Sequence, residues 1–190
     1  MKKLFIAASI LAAFAGMNAQ AASTGTIYFN GELTATTCNV VVDNQAADAT
    51  IQLPTVGTNQ LTEAGQTAGE TSFNMALSDC KGTLKTASAF FENGTTVDTN
   101  GRLKNTSTGA PATATEEAKS AATLVSLQLL DGGNNGAPIV VGNSSQVANN
   151  AYADIATGSA TLPYSVRYYA DGATTPGLVK SQVVYSIQYK

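Results

Sequence analysis

At 190 residues the chain is long enough for one domain with a sizeable core, and it carries 10 basic and 13 acidic residues, two cysteines, no histidine and no tryptophan. Without histidine, Ser-His and Cys-His nucleophilic catalysis are excluded, together with the commonest general acid-base and the commonest metal ligand. The basic residues beyond the N-terminus (Lys81, Lys85, Arg102, Lys104, Lys119, Arg167, Lys180, Lys190) are scattered, so no phosphate-tracking patch forms and nucleic acid is not a predicted partner.

The first element in the chain is a secretory signal peptide over residues 1–21. Lys2 and Lys3 form its positive region and Leu4 to Gly16 its apolar run, and Ala19-Gln20-Ala21 presents small residues where a signal peptidase reads. That run is short of the ~20 residues needed to span a bilayer. Cleavage is predicted to leave Ala22 as the mature N-terminus, and no later segment is long and apolar enough to cross a membrane. The mature chain then has 8 basic against 13 acidic residues, a net charge of −5.

Period-two alternation recurs after this point, and helical periodicity is scarce. Ile27, Phe29, Gly31 and Leu33 share one face of a predicted first strand, opposite Tyr28, Asn30 and Glu32. Val40 to Val42 and Ile51 to Leu53 are short β-branched runs. Phe73, Met75 and Leu77 alternate with small or polar residues toward Cys80. Ala87 to Phe91, Leu124 to Leu130 (a buried strand) and Ile139 to Val141 continue the series. Leu162, Tyr164, Val166 and Tyr168 share a face, as do Val183, Tyr185, Ile187 and Tyr189. Thr113 to Ala122 (TATEEAKSAA) is the one candidate for a short surface turn of helix, and Asn93 to Lys119 reads as polar outer loop. Many short strands between turn signals predict an all-β antiparallel sandwich with no second domain.

In an exported protein Cys38 and Cys80 are read as one disulfide, since a metal site or catalytic thiol would normally recruit histidine. Asp131-Gly-Gly-Asn-Asn-Gly136 loosely resembles a calcium loop, but Gly133 and Gly142 stand where ligands are needed, and a turn explains it more simply. No metal and no cofactor are predicted. A two-carboxylate hydrolase needs no histidine. Its candidate residues nonetheless fall at turns, as in Asp43-Asn44, Glu92-Asn93-Gly94 and Asp171-Gly172, where backbone preference accounts for them.

In this order the segments resemble the major subunits of chaperone-usher fimbriae of the type 1 kind. The likeness rests on Gly25-Thr-Ile-Tyr-Phe-Asn-Gly-Glu-Leu33 ahead of Cys38, and on Phe73-Asn-Met-Ala-Leu-Ser-Asp-Cys80. It rests further on Leu127-Gln-Leu-Leu-Asp131 with Pro138-Ile139, and on Leu162-Pro-Tyr-Ser-Val-Arg-Tyr-Tyr-Ala-Asp-Gly172. The last element is the closing pair of Gly177, fourteenth from the C-terminus, and penultimate Tyr189.

The resemblance implies an immunoglobulin-like antiparallel β-sandwich that lacks its last strand and is completed by a donor strand from a neighbouring subunit. It divides the chain into a signal peptide (1–21), a donor extension (22–36) and a pilin domain (37–190). Ile27, Phe29 and Leu33 are the implied donor side chains, and Gly31 the point where a side chain would meet the groove floor. Read without the family, Gly31 is a bulge or bend in an ordinary strand. The groove is implied to be bordered by the C-terminal strand through Val183, Tyr185, Ile187 and Tyr189, with the Lys190 carboxylate as anchor for a chaperone. The implied partners are other copies of the chain and related pilins, a periplasmic chaperone and an outer-membrane usher, and the implied location is the cell-surface fimbrium. A minor adaptor of such a fibre is the alternative reading; a tip adhesin would normally carry an extra receptor domain.

Overall fold

The computed structural model describes residues 25–190, so the predicted signal peptide and the start at Ala22 lie outside the described residues. The chain divides into a unit ending at Leu33 and a unit Thr34–Lys190. In the first, residues 25–33 form no strand and their side chains are exposed. This corrects the reading of Ile27 to Leu33 as an ordinary first strand. Alternation makes a segment able to be a strand, but a strand exists only when its backbone groups find a ladder.

The second unit is built from nine strands among the described residues: β1 Thr37–Val42, β2 Thr67–Lys81, β3 Thr86–Phe91, β4 Leu103–Lys104, β5 Val125–Asp131, β6 Ala137–Pro138, β7 Ala153–Asp154, β8 Ala160–Ala170 and β9 Tyr185–Tyr189. The larger sheet runs β1-β2-β8-β5-β4 with β6 added to β5, and the smaller runs β7-β3-β9; every strand pair is antiparallel. Phe73, Met75 and Leu77 of β2, Leu127 and Leu129 of β5 and Leu162, Tyr164 and Val166 of β8 share one core with Ala87, Ala89 and Phe91 of β3. Phe91 meets Tyr164 edge to face, with ring centroids 5.1 Å apart.

The longest strands match the predicted alternation and extend beyond it, because β2 and β8 pair along most of their length from Thr67↔Tyr169 to Leu77↔Ala160. Elsewhere tertiary context overrides the pattern. Ile51 and Leu53 are half-buried against the core but belong to no strand. Near Ile139, β6 is limited to Ala137–Pro138, although the Ile139 N–H still donates to the Leu129 carbonyl over 2.9 Å.

The predicted helical turn over 113–122 is absent. Thr113 Oγ1 accepts from the Glu116 N–H at 3.0 Å, and Ala110 bridges Lys119, so local side-chain bonding and a bridge take the backbone groups a helix would use. The helix that does form, α1 at Ser145–Asn149, was not read from the sequence. The outer loop 93–119 is also less exposed than predicted, since Gly101 and Leu103 within it are buried.

Candidate functional site

The disulfide joins Cys38 to Cys80 with a Cα–Cα distance of 4.1 Å, fastening β1 to the end of β2. Just before it, Thr36 is buried and its Oγ1 accepts from the Leu84 N–H at 3.2 Å. Gly82 lies so close, at φ +117°, that an added Cβ would stand 2.3 Å from Thr36 Oγ1. The entry to β1 is therefore fixed from both sides.

β1 is an edge of the larger sheet, and β9 is an edge of the smaller one. In an antiparallel ladder alternate residues exchange both backbone bonds with the neighbouring strand, and the residues between them point the other way. Thr86 and Lys190 exchange bonds of 2.9 Å in both directions, and the Glu92 N–H donates to Val184. Consequently the N–H and C=O groups of Tyr185, Ile187 and Tyr189 face the open side, where no strand among the described residues pairs with them. On β1, the Asp43 N–H donates to Asn74 while the Val42 N–H turns away to Ala46, so Cys38 and Val40 present their groups to the open side.

The side chains report the same vacancy. Tyr189, Ile187 and Tyr185 lie directly opposite Ala87, Ala89 and Phe91 on the core face of the small sheet. Those β3 residues are 0, 0 and 2 % exposed, yet their β9 partners are only half-buried, as are Cys38 and Val40 on the facing edge. The difference is what one missing neighbouring strand would produce.

Two tyrosine hydroxyls reach from β9, one to β1 and one to the bend that follows it. Tyr189 Oη accepts from the Cys38 N–H at 3.0 Å, and Tyr185 Oη donates to the Ala47 carbonyl at 2.8 Å. Burial is the main cause that raises the Tyr185 phenol above its ordinary range, with Asp48 adding to it. Ile187 of β9 and Val40 of β1 are half-buried apolar side chains packed against the core.

The opposite edge of the small sheet is finished differently. Beyond the two residue pairs made with β7, the outward backbone groups of β3 are bonded mainly by side chains, with the Gly142 N–H adding a bond of 2.9 Å to the Phe91 carbonyl. Gln146 of α1 accepts from the Phe91 N–H through Oε1 and donates to the Phe91 carbonyl through Nε2, both at 3.0 Å. Asn150 Nδ2 donates to the Ala89 carbonyl at 3.2 Å, and Tyr164 Oη accepts from the Ala89 N–H at 3.0 Å. Burial, as the largest cause, raises the Tyr164 phenol as well. Sequence reasoning missed Gln146 and Asn150. Their signal was slight: two amides at i and i+4 in a stretch with no strand alternation.

The other singled-out residues take several positions. Val183 precedes β9 and is half-buried against the core. Gly177 is not part of β9: a Cβ there would come within 2.4 Å of the Ala122 nitrogen, where residues 177–178 run beside Ser120 to Ala122. The Lys190 carbonyl accepts from the Lys85 and Thr86 N–H groups at 2.8 and 2.9 Å. Its ammonium donates to the Val147 carbonyl at 2.6 Å and sits 3.7 Å above the Tyr152 ring. Asp131, heading the calcium-like string, accepts from the Gly133 N–H at 2.9 Å and the Ala151 N–H at 2.7 Å, as a turn-capping carboxylate does. Ile27, Phe29 and Leu33 are 78, 90 and 101 % exposed, and nothing lies within 4 Å of a Cβ placed on Gly31.

An incomplete antiparallel sandwich with apolar residues on both margins of an empty strand position defines a class of subunit that assembles through its sheet edges. The family model for FimA, type-1 fimbrial protein, A, matches residues 53–190. Among relatives, the major fimbrial subunit SMF-1 of Stenotrophomonas maltophilia is 40 % identical over 171 residues, covering 88 % of this chain and 94 % of that one. A type-1 fimbrial protein A chain of Escherichia coli is 32 % identical, covering 96 % of this chain and 91 % of its own. The crystal structure of a type I fimbria protein of Burkholderia pseudomallei superposes with a TM-score of 0.53 at 25 % identity, over 82 % of this chain and 97 % of that one. The P pilus rod subunit PapA, at 13 % identity and a TM-score of 0.56, covers 80 % of this chain and 99 % of its own and shares the fold. The chain belongs to the type-1 fimbrial protein family and is a structural subunit of a surface fimbria, with the incomplete immunoglobulin-like sandwich of that family. The major-subunit reading fits these relatives, and the minor-adaptor alternative is not favoured.

Proposed function

We propose that the position between β1 and β9 accepts residues 27–33 of a neighbouring copy, so that subunits polymerise by donating their N-terminal segments in series. The observation that carries this reading is the half-burial of Tyr185, Ile187 and Tyr189 beside fully buried β3 partners, with their backbone groups facing outward. An added strand would supply those groups with a ladder, and its alternate side chains would set the register; pilin donor-strand complementation is itself a known case of such strand addition. Ile27, Phe29 and Leu33 are exposed and spaced to share one face of that strand. Burying each stabilises by about 1.5–3 kcal/mol before ordering costs. Gly31 is assigned to the place where the slot floor leaves no room for a side chain.

On this reading residues 1–21 are removed on export, 22–36 are the donated extension and 37–190 the acceptor domain. Gly177, Val183, Tyr185, Ile187 and Tyr189 belong to the C-terminal segment that borders or supports the slot. A periplasmic chaperone fills the slot before assembly and engages the Lys190 carboxylate, and an outer-membrane usher exchanges it for the next extension. The chain performs no catalysis; its work is mechanical. Deleting residues 22–34 tests the scheme: the truncated subunit should still accept an extension but should not itself be donated, and fibres in which truncated subunits follow one another would overturn it. Gly31→Leu should slow strand exchange by overpacking; an exchange rate equal to wild type would remove Gly31 from the assigned role.

A further inference from the structure

Cys38 presents an N–H on the open edge of β1, the kind of group an incoming strand would take with a carbonyl. In the unfilled chain that N–H already has an acceptor, Tyr189 Oη at 3.0 Å. At the other end Tyr185 Oη donates to the Ala47 carbonyl at 2.8 Å. A tyrosine extended from one strand, plus one hydrogen bond, spans a distance of the order of two strand spacings, about 9–10 Å. That is the gap left by one absent strand. Tyr189 Oη therefore offers an edge N–H the hydrogen bond it lacks, and Tyr185 Oη does the same for a carbonyl in the bend that follows β1.

We infer that Tyr189 and Tyr185 form removable rungs across the empty slot, Tyr189 Oη standing in for the incoming strand's carbonyl at the Cys38 N–H. The inference rests on the strand-acceptor reading above and adds a gate to it. While the slot is empty, the Tyr189 rung satisfies an edge group that would otherwise invite unspecific strand pairing, and the Tyr185 rung holds the bend beyond β1. During insertion the Tyr189 rung must break before the new strand can bond β1 there. It therefore stabilises the empty chain and slows its filling.

The test uses the full chain with its disulfide intact, kept monomeric, and a labelled synthetic peptide of residues 22–36. For Tyr189→Phe, peptide uptake should quicken by about two- to tenfold, the effect of removing one neutral hydrogen bond. The variant should melt lower than wild type when empty, and the two should melt alike once filled. Equal uptake rates, or a melting difference that persists unchanged in the filled state, would overturn the rung while leaving the acceptor slot standing. If neither chain takes up the peptide, the slot reading fails and the rung with it. Amide exchange in the wild-type chain gives an independent readout should the variant not fold. The Cys38 amide should be better protected than the Val40 amide on the same edge, and equal exchange of the two would refute the proposal.

Discussion

The small sheet has two long edges, and they are finished in opposite ways. On the β3 side beyond β7, Gln146, Asn150 and Tyr164 bond the outward peptide groups of Phe91 and Ala89, so that side chains replace the missing ladder. On the β9 side, the outward groups of Tyr185, Ile187 and Tyr189 pair with no strand among the described residues, and the residues that bear them are half-buried. A sheet edge can thus be closed within this fold using three ordinary side chains and the Gly142 N–H, which bonds the Phe91 carbonyl at 2.9 Å. Leaving the other edge open beside an apolar floor is then a property of the site, and it is the edge proposed above to receive a strand of another molecule.

Breaking either margin sharpens the contrast. The largest effect is expected from losing the disulfide that fastens the β1 margin. Replacing both Cys38 and Cys80 by Ala frees a loop closed across a separation of 42 residues. Chain-entropy reasoning places the loss near 4 kcal/mol, readable as a lower denaturation midpoint, together with weaker peptide uptake. Gln146→Leu comes next. It strands the buried Phe91 N–H, at about 1–3 kcal/mol, while the Phe91 carbonyl keeps the Gly142 N–H at 2.9 Å, and it should leave the affinity of the slot for the 22–36 peptide unchanged. A fall in peptide affinity equal to the fall in stability would mean that the two edges are not separable.

Ile187→Ala should show the reverse behaviour. In the empty chain Ile187 is half-buried, so its truncation should cost about 1 kcal/mol, below the usual 2–5 for a buried aliphatic residue. With the slot filled the penalty should grow toward that range, and thermal melting of empty and filled chains compares the two. An equal penalty in both states would argue that β9 gains no neighbour on filling.

The smallest expected effect is in alkaline titration. Tyr164 and Tyr185 are both raised in the folded chain, each mainly by burial. A phenol raised on folding contributes stability that is fully present below its unfolded value, about 10, and is lost as pH rises through the folded value. Phenolate absorbance should therefore show Tyr185 moving further upward when the slot is filled, because burial increases there. Tyr164, already enclosed behind β3, should stay where it is. An unmoved Tyr185 titration on filling would place the incoming strand elsewhere.

Much of the sandwich was legible in alternation. Phe73, Met75 and Leu77 and then Leu162, Tyr164 and Val166 read as core faces, and they are buried against one another in β2 and β8. Alternation was weaker where burial depends on what packs nearby. Ile51 to Leu53 has the composition of a strand and no ladder, whereas α1 has too few residues to carry a helical period. Val40 reads as strand, but nothing in its neighbours along the chain says that its strand stands at a sheet edge.

By itself the sequence determined the β class, the single Cys38–Cys80 pairing, the alternating apolar face of Ile27, Phe29 and Leu33, and the C-terminal strand that ends at Tyr189. These follow from periods of two and from the residue types present, and both are local quantities. Only the tertiary structure decided that β1 and β9 each stand at the edge of a sheet and that Gly177 serves a backbone crossing outside the strand. It alone placed Gln146 and Asn150 on one edge and the tyrosine hydroxyls across the other. Which edge remains unpaired depends on the order of strands in two sheets, a relation among segments more than a hundred residues apart, from Cys38 to Tyr189. Local pattern carries no record of such a relation.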